Sequence, residues 1–156
     1  MGVAGAGKTT VGRALAAQLG CRFVEGDDHH TATAIEKMRA GTPLSDDDRG
    51  PWLTALHAIV VAALGRRETL VLTCSALKDA YRQTLRGNCR TVRFVHLHAD
   101  AEALAQRLEE RGEHFFRPSL LANQLATLET PADALAIDAT QPVEQIVRTI
   151  RLEFGL

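Results

Sequence analysis

A chain of 156 residues with a formal net charge of -1 is about one domain in size, and it carries no general cationic field for a nucleic acid or an acidic membrane surface. Hydrophobic residues make up 46% of the sequence and charged residues 24%, which are ordinary globular values and exclude a disordered or fibrous chain. No apolar run approaches the ~20 residues that span a bilayer, so we expect a cytoplasmic protein with a small ligand.

Apolar residues recur at strand and helix spacing along the whole chain. Short β-branched and apolar runs predict strands over 22–25, 69–74, 92–97 and 135–138. Apolar residues three and four apart predict helices over 8–19, 33–39, 51–64, 77–85, 101–111, 119–128 and 143–154. Alternation of this kind indicates an α/β fold with a parallel sheet covered by helices, and 1–156 is interpreted as a single domain.

Several helix ends carry local signals. Ser45 followed three residues later by Asp48 predicts a capping pair, and Pro51 suits the first turn of a helix. Gly20 and Gly65 are typical of helix ends.

Residues 2 to 9 read GVAGAGKT and match the phosphate-binding pattern G-x-x-x-x-G-K-[ST] without mismatch. Glycines let successive backbone N–H groups point at phosphate oxygens while the next helix begins with its positive end toward them. Lys8 would reach the β- and γ-phosphates of ATP, and the Thr9 hydroxyl would ligate Mg²⁺. A flexible glycine-rich tail is the alternative, but an amphipathic helix follows at once. The nucleotide-binding residues predicted are Gly2, Val3, Ala4, Gly5, Ala6, Gly7, Lys8, Thr9 and Thr10.

A phosphate-binding loop of this type normally follows a hydrophobic strand, whereas only Met1 precedes Gly2. In this architecture that strand runs through the middle of the sheet, and its loss would leave the neighbouring strands unpaired. Our hypothesis is that the native start lies upstream and that the first strand is missing from this sequence.

The segment EGDDHH, residues 25 to 30, follows the strand predicted over 22–25. It places Asp27 at the carboxyl end of that strand, where open α/β sheets bind ligands. A carboxylate there can accept the proton of an attacking hydroxyl or help to hold magnesium. The alternative is that Asp27 and Asp28 only turn the chain into the next helix.

Four further segments accompany EGDDHH: IEKM at 35–38, GTPLSDDDRGPW at 41–52, CSALKDAYR at 74–82 and RGEHFFRPSLLANQLATLETP at 111–131. Together, in this order, they resemble the gluconate kinases, a family of small ATP-dependent sugar-acid kinases. The resemblance implies a three-layer P-loop NTPase fold like that of nucleoside and shikimate kinases, with a five-stranded parallel sheet. It also implies an acceptor-binding segment at about 27–52, a lid at about 111–120, and transfer of the ATP γ-phosphoryl group to the 6-hydroxyl of D-gluconate. Many members are homodimers.

A polyol acid needs hydrogen-bonding partners and a cation for its carboxylate. We assign Asp27 to the acceptor hydroxyl, with Arg49 and His114 as substrate contacts. Which cation meets the carboxylate stays open, since Lys37 and Arg82 lie on predicted helices and could equally be solvated charges. We expect Trp52 in the core. The candidate substrate residues are Asp27, His30, Lys37, Arg49, Ser75, Lys78, Arg82 and His114.

Arg107 and Arg111 end a predicted helix just before the lid segment. Either could stabilise charge on the transferring phosphoryl group, and Arg111 is the better candidate for this catalytic role. The alternative is that both compensate the negative end of the helix.

Two positions depart from the family pattern. Members usually have Pro where this chain has Thr31 and Asn where it has Ala34, and the loss of an amide could admit a different sugar acid. A kinase of another small hydroxy acid, such as a shikimate-like acid, is therefore one alternative. A catalytically silent nucleotide-binding protein is the other.

Overall fold

The computed structural model describes residues 1–110 and 118–156. Within them the strands are β1 (Arg22–Glu25), β2 (Leu70–Thr73), β3 (Val95–His98) and β4 (Leu135–Asp138). The helices are α1 (Lys8–Leu19), α2 (Ala32–Arg39), α3 (Asp46–Gly65), α4 (Asp79–Arg86), α5 (Ala101–Glu110), α6 (Pro118–Thr127) and α7 (Val143–Phe154), with a single 3₁₀ turn at Gly26–His29. The predicted α/β fold of strands alternating with helices is confirmed.

The strands form two parallel pairs. β1 pairs with β2, from Arg22 opposite Leu70 to Glu25 opposite Thr73. β3 pairs with β4, from Val95 opposite Leu135 to His98 opposite Asp138. Because the strands of each pair are parallel, their carboxyl ends lie on the same side of that pair, and the loops that follow β1 and β2 can meet at a common site.

Met1 and Gly2 lie between the two strand pairs. The Met1 carbonyl accepts a hydrogen bond from the Leu97 amide at 3.0 Å, and the Gly2 amide donates to the Ser75 carbonyl at 3.2 Å. Behind them is an apolar cavity of about 500 Å³, lined by residues of α1, β2 and β3 that include Val11, Leu15, Leu72, Val95 and Leu97. The fifth strand predicted for the sheet stays a prediction.

Two apolar clusters support the two sides of the fold. The larger one joins α1, α5 and α7 to β3 and β4, with Leu104, Ile146 and Val147 almost inaccessible. The smaller one joins α3 to α4 and contains Trp52, Leu56, Cys74, Tyr81 and Leu85. The first cluster lies under the phosphate-binding loop, whereas the second lies under the acceptor segment.

The observed helix α3 begins five residues before the predicted start. Ser45 and Asp48 form the predicted capping box, because the Ser45 hydroxyl accepts from the Asp48 amide and the Asp48 carboxylate accepts from the Ser45 amide. The placement of Pro51 in the first turn is wrong, since this capping box begins the helix at Asp46 and puts Pro51 inside it. The missing Pro51 N–H costs one helical hydrogen bond.

The other predicted boundaries differ from the observed ones by a few residues at most. Gly20 ends α1 in the left-handed conformation, with φ of 61°. Gly65 is the last residue of α3, and Arg66 follows it as the C-cap.

Candidate active site

The loop of residues 2–7 lies tightly against the body of the protein. Gly2 has a φ of 137°, and a Cβ atom added to it would lie 2.4 Å from the Leu97 carbonyl oxygen, so only glycine fits there. The Val3 and Ala6 side chains are buried at 3% and 1% exposure. The side chains of the loop therefore face the core, which leaves its backbone to form the surface.

The N-terminus of α1 has the features of an anion site. Gly7 precedes it in the left-handed conformation, with φ of 81°, no side chain caps the helix, and its first turn contains no acidic residue. Its first N–H groups are thus available to phosphate oxygens at the positive end of the helix dipole. The Lys8 ammonium donates to the Val3 carbonyl at 2.9 Å, so it lies across the loop. Thr10 is exposed in the first turn of α1.

Glu25 is a site residue that the sequence analysis missed. Its carboxylate accepts hydrogen bonds from the Thr9 hydroxyl at 2.7 Å and from the Thr73 hydroxyl. These contacts arise because Glu25 and Thr73 end two paired strands directly beside the loop. The signal that could have found Glu25 is an acidic residue at the end of a strand, which we interpreted only as part of β1. The Thr9 hydroxyl predicted to bind magnesium therefore has a carboxylate behind it.

Asp27 lies in the 3₁₀ turn that follows β1. The turn is pressed against β2, since a Cβ atom on Gly26 would lie 2.1 Å from the Thr73 carbonyl oxygen. The Asp27 side chain is 64% exposed, and its Oδ1 lies 3.9 Å from Nε2 of His30. Asp27 is thus a carboxylate held at the surface of a rigid turn.

His30 is packed far more deeply than Asp27. Its ring stacks on Trp52, with centroids 4.2 Å apart, and its side chain is 5% exposed. Burial lowers the pKa of His30, while Asp27 acts to raise that pKa and Arg49 to lower it further. Nδ1 of His30 is buried without a hydrogen-bond partner among the described residues. Trp52 is buried, as expected, and its indole N–H donates to the Gly26 carbonyl at 2.7 Å.

Two of the predicted cations near the acceptor segment are already paired. Lys37 donates to both carboxylate oxygens of Asp48, at 2.7 and 2.9 Å. Lys78 lies 2.7 Å from Oδ2 of Asp46, which also accepts a hydrogen bond from the Tyr81 hydroxyl. These carboxylates offset much of the charge that each lysine could offer to a ligand.

Arg82 is buried under the loop between β2 and α4. Its side chain is 4% exposed, and it donates to the carbonyls of Ala76 and Leu77 at 3.0 and 3.1 Å. Arg82 therefore holds the loop that carries Ser75 and Lys78, and it does not line the cleft described below.

Arg49 has a different environment. Its guanidinium donates to the carbonyls of Leu44 and Ser45 and lies 5.8 Å from the centre of the Tyr81 ring. In the part of the chain that the structure describes, Arg49 forms no ion pair with a carboxylate. Among the described residues its guanidinium is therefore held by backbone carbonyls and an aromatic face, and not by a direct ion pair.

A cleft of about 720 Å³ brings the two sides together. Asp27, His30 and Arg49 lie in one wall, and the phosphate-binding loop lies in another. Lys37 is not among the residues that line it. The residues that line the cleft include Ala4, Gly5, Gly7, Lys8 and Thr9 of the loop, Asp27, His30, Arg39, Asp46, Arg49, Trp52, Ser75 and Lys78 of the acceptor side, and Leu120, Asn123, Gln124 and Thr127 of α6.

Arg111 and His114 lie outside the described residues, as does most of the predicted lid. Arg107 is described, and its guanidinium donates to the Ala139 carbonyl at 2.8 Å, which ties α5 to the end of β4. In residues 1–110 and 118–156 no cluster of three or more His, Cys, Asp or Glu could hold a metal ion. Magnesium in nucleotide sites is commonly held by one or two protein oxygens together with phosphates and waters, and Thr9 with Glu25 behind it fits that requirement.

Comparison with known proteins places this site in a family. A family model described as shikimate kinase matches residues 4–147. The gluconokinase of Gluconobacter oxydans (strain 621H) is 49% identical over 133 residues, which are 85% of this chain and 75% of that protein. The thermoresistant gluconokinase of Escherichia coli (strain K12) is 40% identical over 151 residues, 94% of this chain and 86% of that protein. The chain belongs to the gluconokinase family.

Solved structures agree with membership of the gluconokinase family. A gluconokinase from Sinorhizobium meliloti 1021 superposes with a TM-score of 0.89 at 43% identity, covering 99% of this chain and 89% of that one. A shikimate kinase from Acinetobacter baumannii has a TM-score of 0.58 at 22% identity, which shows the fold alone. The predicted family resemblance and the P-loop kinase fold are confirmed. This kinase family implies ATP as a substrate and typically Mg²⁺.

Proposed function

We propose that this member of the gluconokinase family transfers the γ-phosphoryl group of ATP to the 6-hydroxyl of D-gluconate, giving ADP and 6-phospho-D-gluconate. One observation carries the proposal: a single cleft has the phosphate-binding loop with Lys8 in one wall and Asp27 with Arg49 in another. A phosphoryl transferase needs these two sides to face a common space, because catalysis is mainly positioning and charge stabilisation.

On the phosphate side, the backbone N–H groups of the loop and of the first turn of α1 bind the phosphate oxygens. Lys8 moves from the Val3 carbonyl onto the β- and γ-phosphates. The Thr9 hydroxyl would hold Mg²⁺, which would supply charge neutralisation to the phosphates. Glu25 orients that hydroxyl by accepting its proton in a hydrogen bond.

On the acceptor side, Asp27 takes the proton of the 6-hydroxyl as the oxygen attacks phosphorus and the bond to ADP breaks. Its exposed position in a rigid turn suits a group that meets a mobile substrate. His30 stays neutral at pH 7, because burial lowers its pKa, and it fixes the turn by stacking on Trp52. Arg111 and His114 stay candidates for the transition-state cation and for a substrate contact.

Arg49 binds the carboxylate of gluconate. Lys37 and Lys78 each already face an aspartate, so another carboxylate would meet a charge that is largely offset. Arg49 forms no ion pair with a carboxylate among the described residues, and its planar guanidinium can hold a carboxylate with two hydrogen bonds.

The departures at Thr31 and Ala34 affect how α2 is built. The Thr31 hydroxyl accepts a hydrogen bond from the Ala34 amide at 3.2 Å and so caps α2, and Ala34 is 1% exposed. A larger amide at position 34 would have to find space in the core. The acceptor preference therefore has to be measured on a panel of acids, with gluconate as the acceptor that we expect.

The test is ATP-dependent phosphate transfer to gluconate, to other sugar acids and to shikimate, followed by mass spectrometry, with Lys8→Ala as the inactive control. We expect gluconate to be the best acceptor and Lys8→Ala to lose at least ~100-fold of the rate, the typical loss of one phosphate-stabilising group. Faster transfer to another acid would overturn the choice of gluconate as the substrate. Binding of nucleotide without transfer to any acid would overturn the proposed kinase activity.

The remaining predictions concern the location of the protein in the cell and its oligomeric state. Within residues 1–110 and 118–156, no helix is both long and apolar enough to cross a membrane. The cytoplasmic location and the homodimer stay predictions.

A further inference from the structure

Gln124 of α6 makes a contact with the phosphate-binding loop that the proposed mechanism does not use. The Ala4 amide donates to Oε1 of Gln124 at 2.7 Å, across 120 positions of sequence. Because the backbone N–H is a donor, the side-chain atom facing it has to be the amide oxygen, which fixes the orientation of the whole carboxamide. The NH₂ group of Gln124 then lies in the same plane, on the side of the carboxamide carbon away from that hydrogen bond.

Helix α6 is itself firmly held, so this orientation is built into the fold. Leu121 is buried in the larger core cluster at 5% exposure. Just beyond the helix, the Glu129 amide donates to the Leu77 carbonyl at 2.9 Å, and the Glu129 carboxylate accepts from the Asp79 amide. One end of this segment is thus tied to the loop that carries Ser75 and Lys78, and the middle of the helix is tied to the phosphate-binding loop.

The carboxamide of Gln124 lines the cleft between those loops, together with Ala4, Lys8 and Asp27. Its NH₂ group donates to no other described residue, whereas the oxygen of the same amide accepts from the Ala4 amide. A half-buried amide with an anchored oxygen and unused donors suits a ligand that offers anionic oxygens in the same cleft. Since Ala4 belongs to the loop that binds phosphate, the terminal phosphate is the nearest such ligand.

We propose that Gln124 contacts the transferred group, its NH₂ donating to an oxygen of the γ-phosphoryl group while its Oε1 keeps the Ala4 amide in place. This proposal rests on the proposed kinase function. Gln124 would thereby distinguish ATP from ADP, and it would link α6 to the chemistry at the loop.

The test compares the binding of Mg·ADP with that of Mg·β,γ-imido-ATP by isothermal titration calorimetry, in the wild type and in Gln124→Leu. A hydrogen bond to a charged group is worth about tenfold or more in affinity, so we expect the affinity of the variant for the ATP analogue to fall by about that factor more than its affinity for ADP. Gln106→Leu is the matched control, since Gln106 is an exposed amide on α5 that bonds only Glu110 among the described residues. It should leave both affinities unchanged.

Gln124→Glu separates the contact with phosphate from the support of the loop. The glutamate keeps an acceptor for the Ala4 amide but loses the donors. We therefore expect Gln124→Glu to bind ADP about as tightly as the wild type does, and to bind the ATP analogue more weakly than Gln124→Leu does. Equal losses for both nucleotides in Gln124→Leu, or no loss for either, would overturn the proposal. So would a Gln124→Glu variant that keeps the wild-type preference.

These binding ratios need no acceptor, so they stay informative if gluconate proves to be the wrong substrate. Failure of the proposed function would appear as normal nucleotide binding without phosphate transfer to gluconate. Failure of the Gln124 proposal would appear as an unchanged ratio of the two affinities in a protein that does phosphorylate gluconate.

Discussion

The two walls of the cleft are built in different ways. The phosphate wall consists of backbone groups from one continuous stretch, and the loop side chains Val3 and Ala6 are buried in the core beneath it. The acceptor wall consists of side chains from several separate segments. The charge that each of them offers to a ligand is set by its neighbours, as Asp46 offsets the charge of Lys78. A backbone site can therefore be recognised from local spacing, whereas a side-chain site is defined only after the chain has folded.

The largest effect should come from the acceptor wall, at the carboxylate that receives the proton. Asp27→Asn keeps the shape of the side chain but cannot act as a base, so we expect the turnover number to fall by about 10²–10⁴-fold with little change in the KM for gluconate. Steady-state kinetics with saturating ATP measure this. Asp28→Asn, one residue along in the same turn, is the control, and an equal loss in that variant would mean that the turn tolerates no change.

Arg49→Leu tests which cation holds the acceptor carboxylate. Loss of a bidentate charged contact should raise the KM for gluconate by about 10–100-fold and leave the KM for ATP unchanged. Lys78→Leu should have a smaller effect, because Asp46 already offsets the charge of Lys78. A larger rise in KM for Lys78→Leu than for Arg49→Leu would reverse our assignment.

Glu25 joins the phosphate wall to the strand ends, and its effect should be smaller. Glu25→Gln weakens the orientation of the Thr9 hydroxyl, so we expect the Mg²⁺ concentration for half-maximal activity to rise about tenfold. Titration of the activity with Mg²⁺ at fixed ATP measures this change. Glu153→Gln, on the exposed face of α7, should leave the titration unchanged, and an equal shift in both variants would point to a general loss of negative charge.

The smallest effect is the dependence of stability on pH at His30. Burial lowers the pKa of His30 below its usual value of about 6.5, with Asp27 and Arg49 facing the ring beside Trp52. Below that usual pKa the unfolded chain takes up a proton that the folded chain resists, so the stabilisation is complete above about pH 6.5 and is lost as the pH falls toward the folded-state pKa.

His30→Asn should therefore reduce the loss of stability between about pH 7 and pH 5, measured by urea unfolding at several pH values. Burial also lowers the pKa of His96, so part of the pH dependence will stay in the variant. An unchanged slope in His30→Asn would mean that His30 takes up a proton as readily in the folded protein as in the unfolded chain.

The sequence could indicate the phosphate wall for a physical reason. The pattern from Gly2 to Thr9 is local, and Gly2 is required because a side chain there would meet the Leu97 carbonyl. The fold class and the family followed from helix and strand spacing and from several ordered segments. The assigned roles of the single residues stay predictions.

The acceptor wall could be predicted only in part, because its contacts join distant positions. Arg82 looked like a candidate ligand residue, yet folding buries it against the carbonyls of Ala76 and Leu77. Glu25 looked like a strand residue, yet the pairing of β1 with β2 sets it beside Thr9. No local pattern encodes either contact, since each depends on which strands become neighbours.

The central claim is that the phosphate loop faces an acceptor whose primary hydroxyl lies at Asp27. The most direct test is to incubate the protein with MgATP and D-gluconate and to record the proton-coupled ³¹P NMR spectrum of the product. We expect one phosphate ester coupled to the two protons of the C6 methylene group, with an equal amount of ADP. A phosphate coupled to a single proton on a secondary carbon, or the absence of any ester while ATP remains bound, would contradict the account.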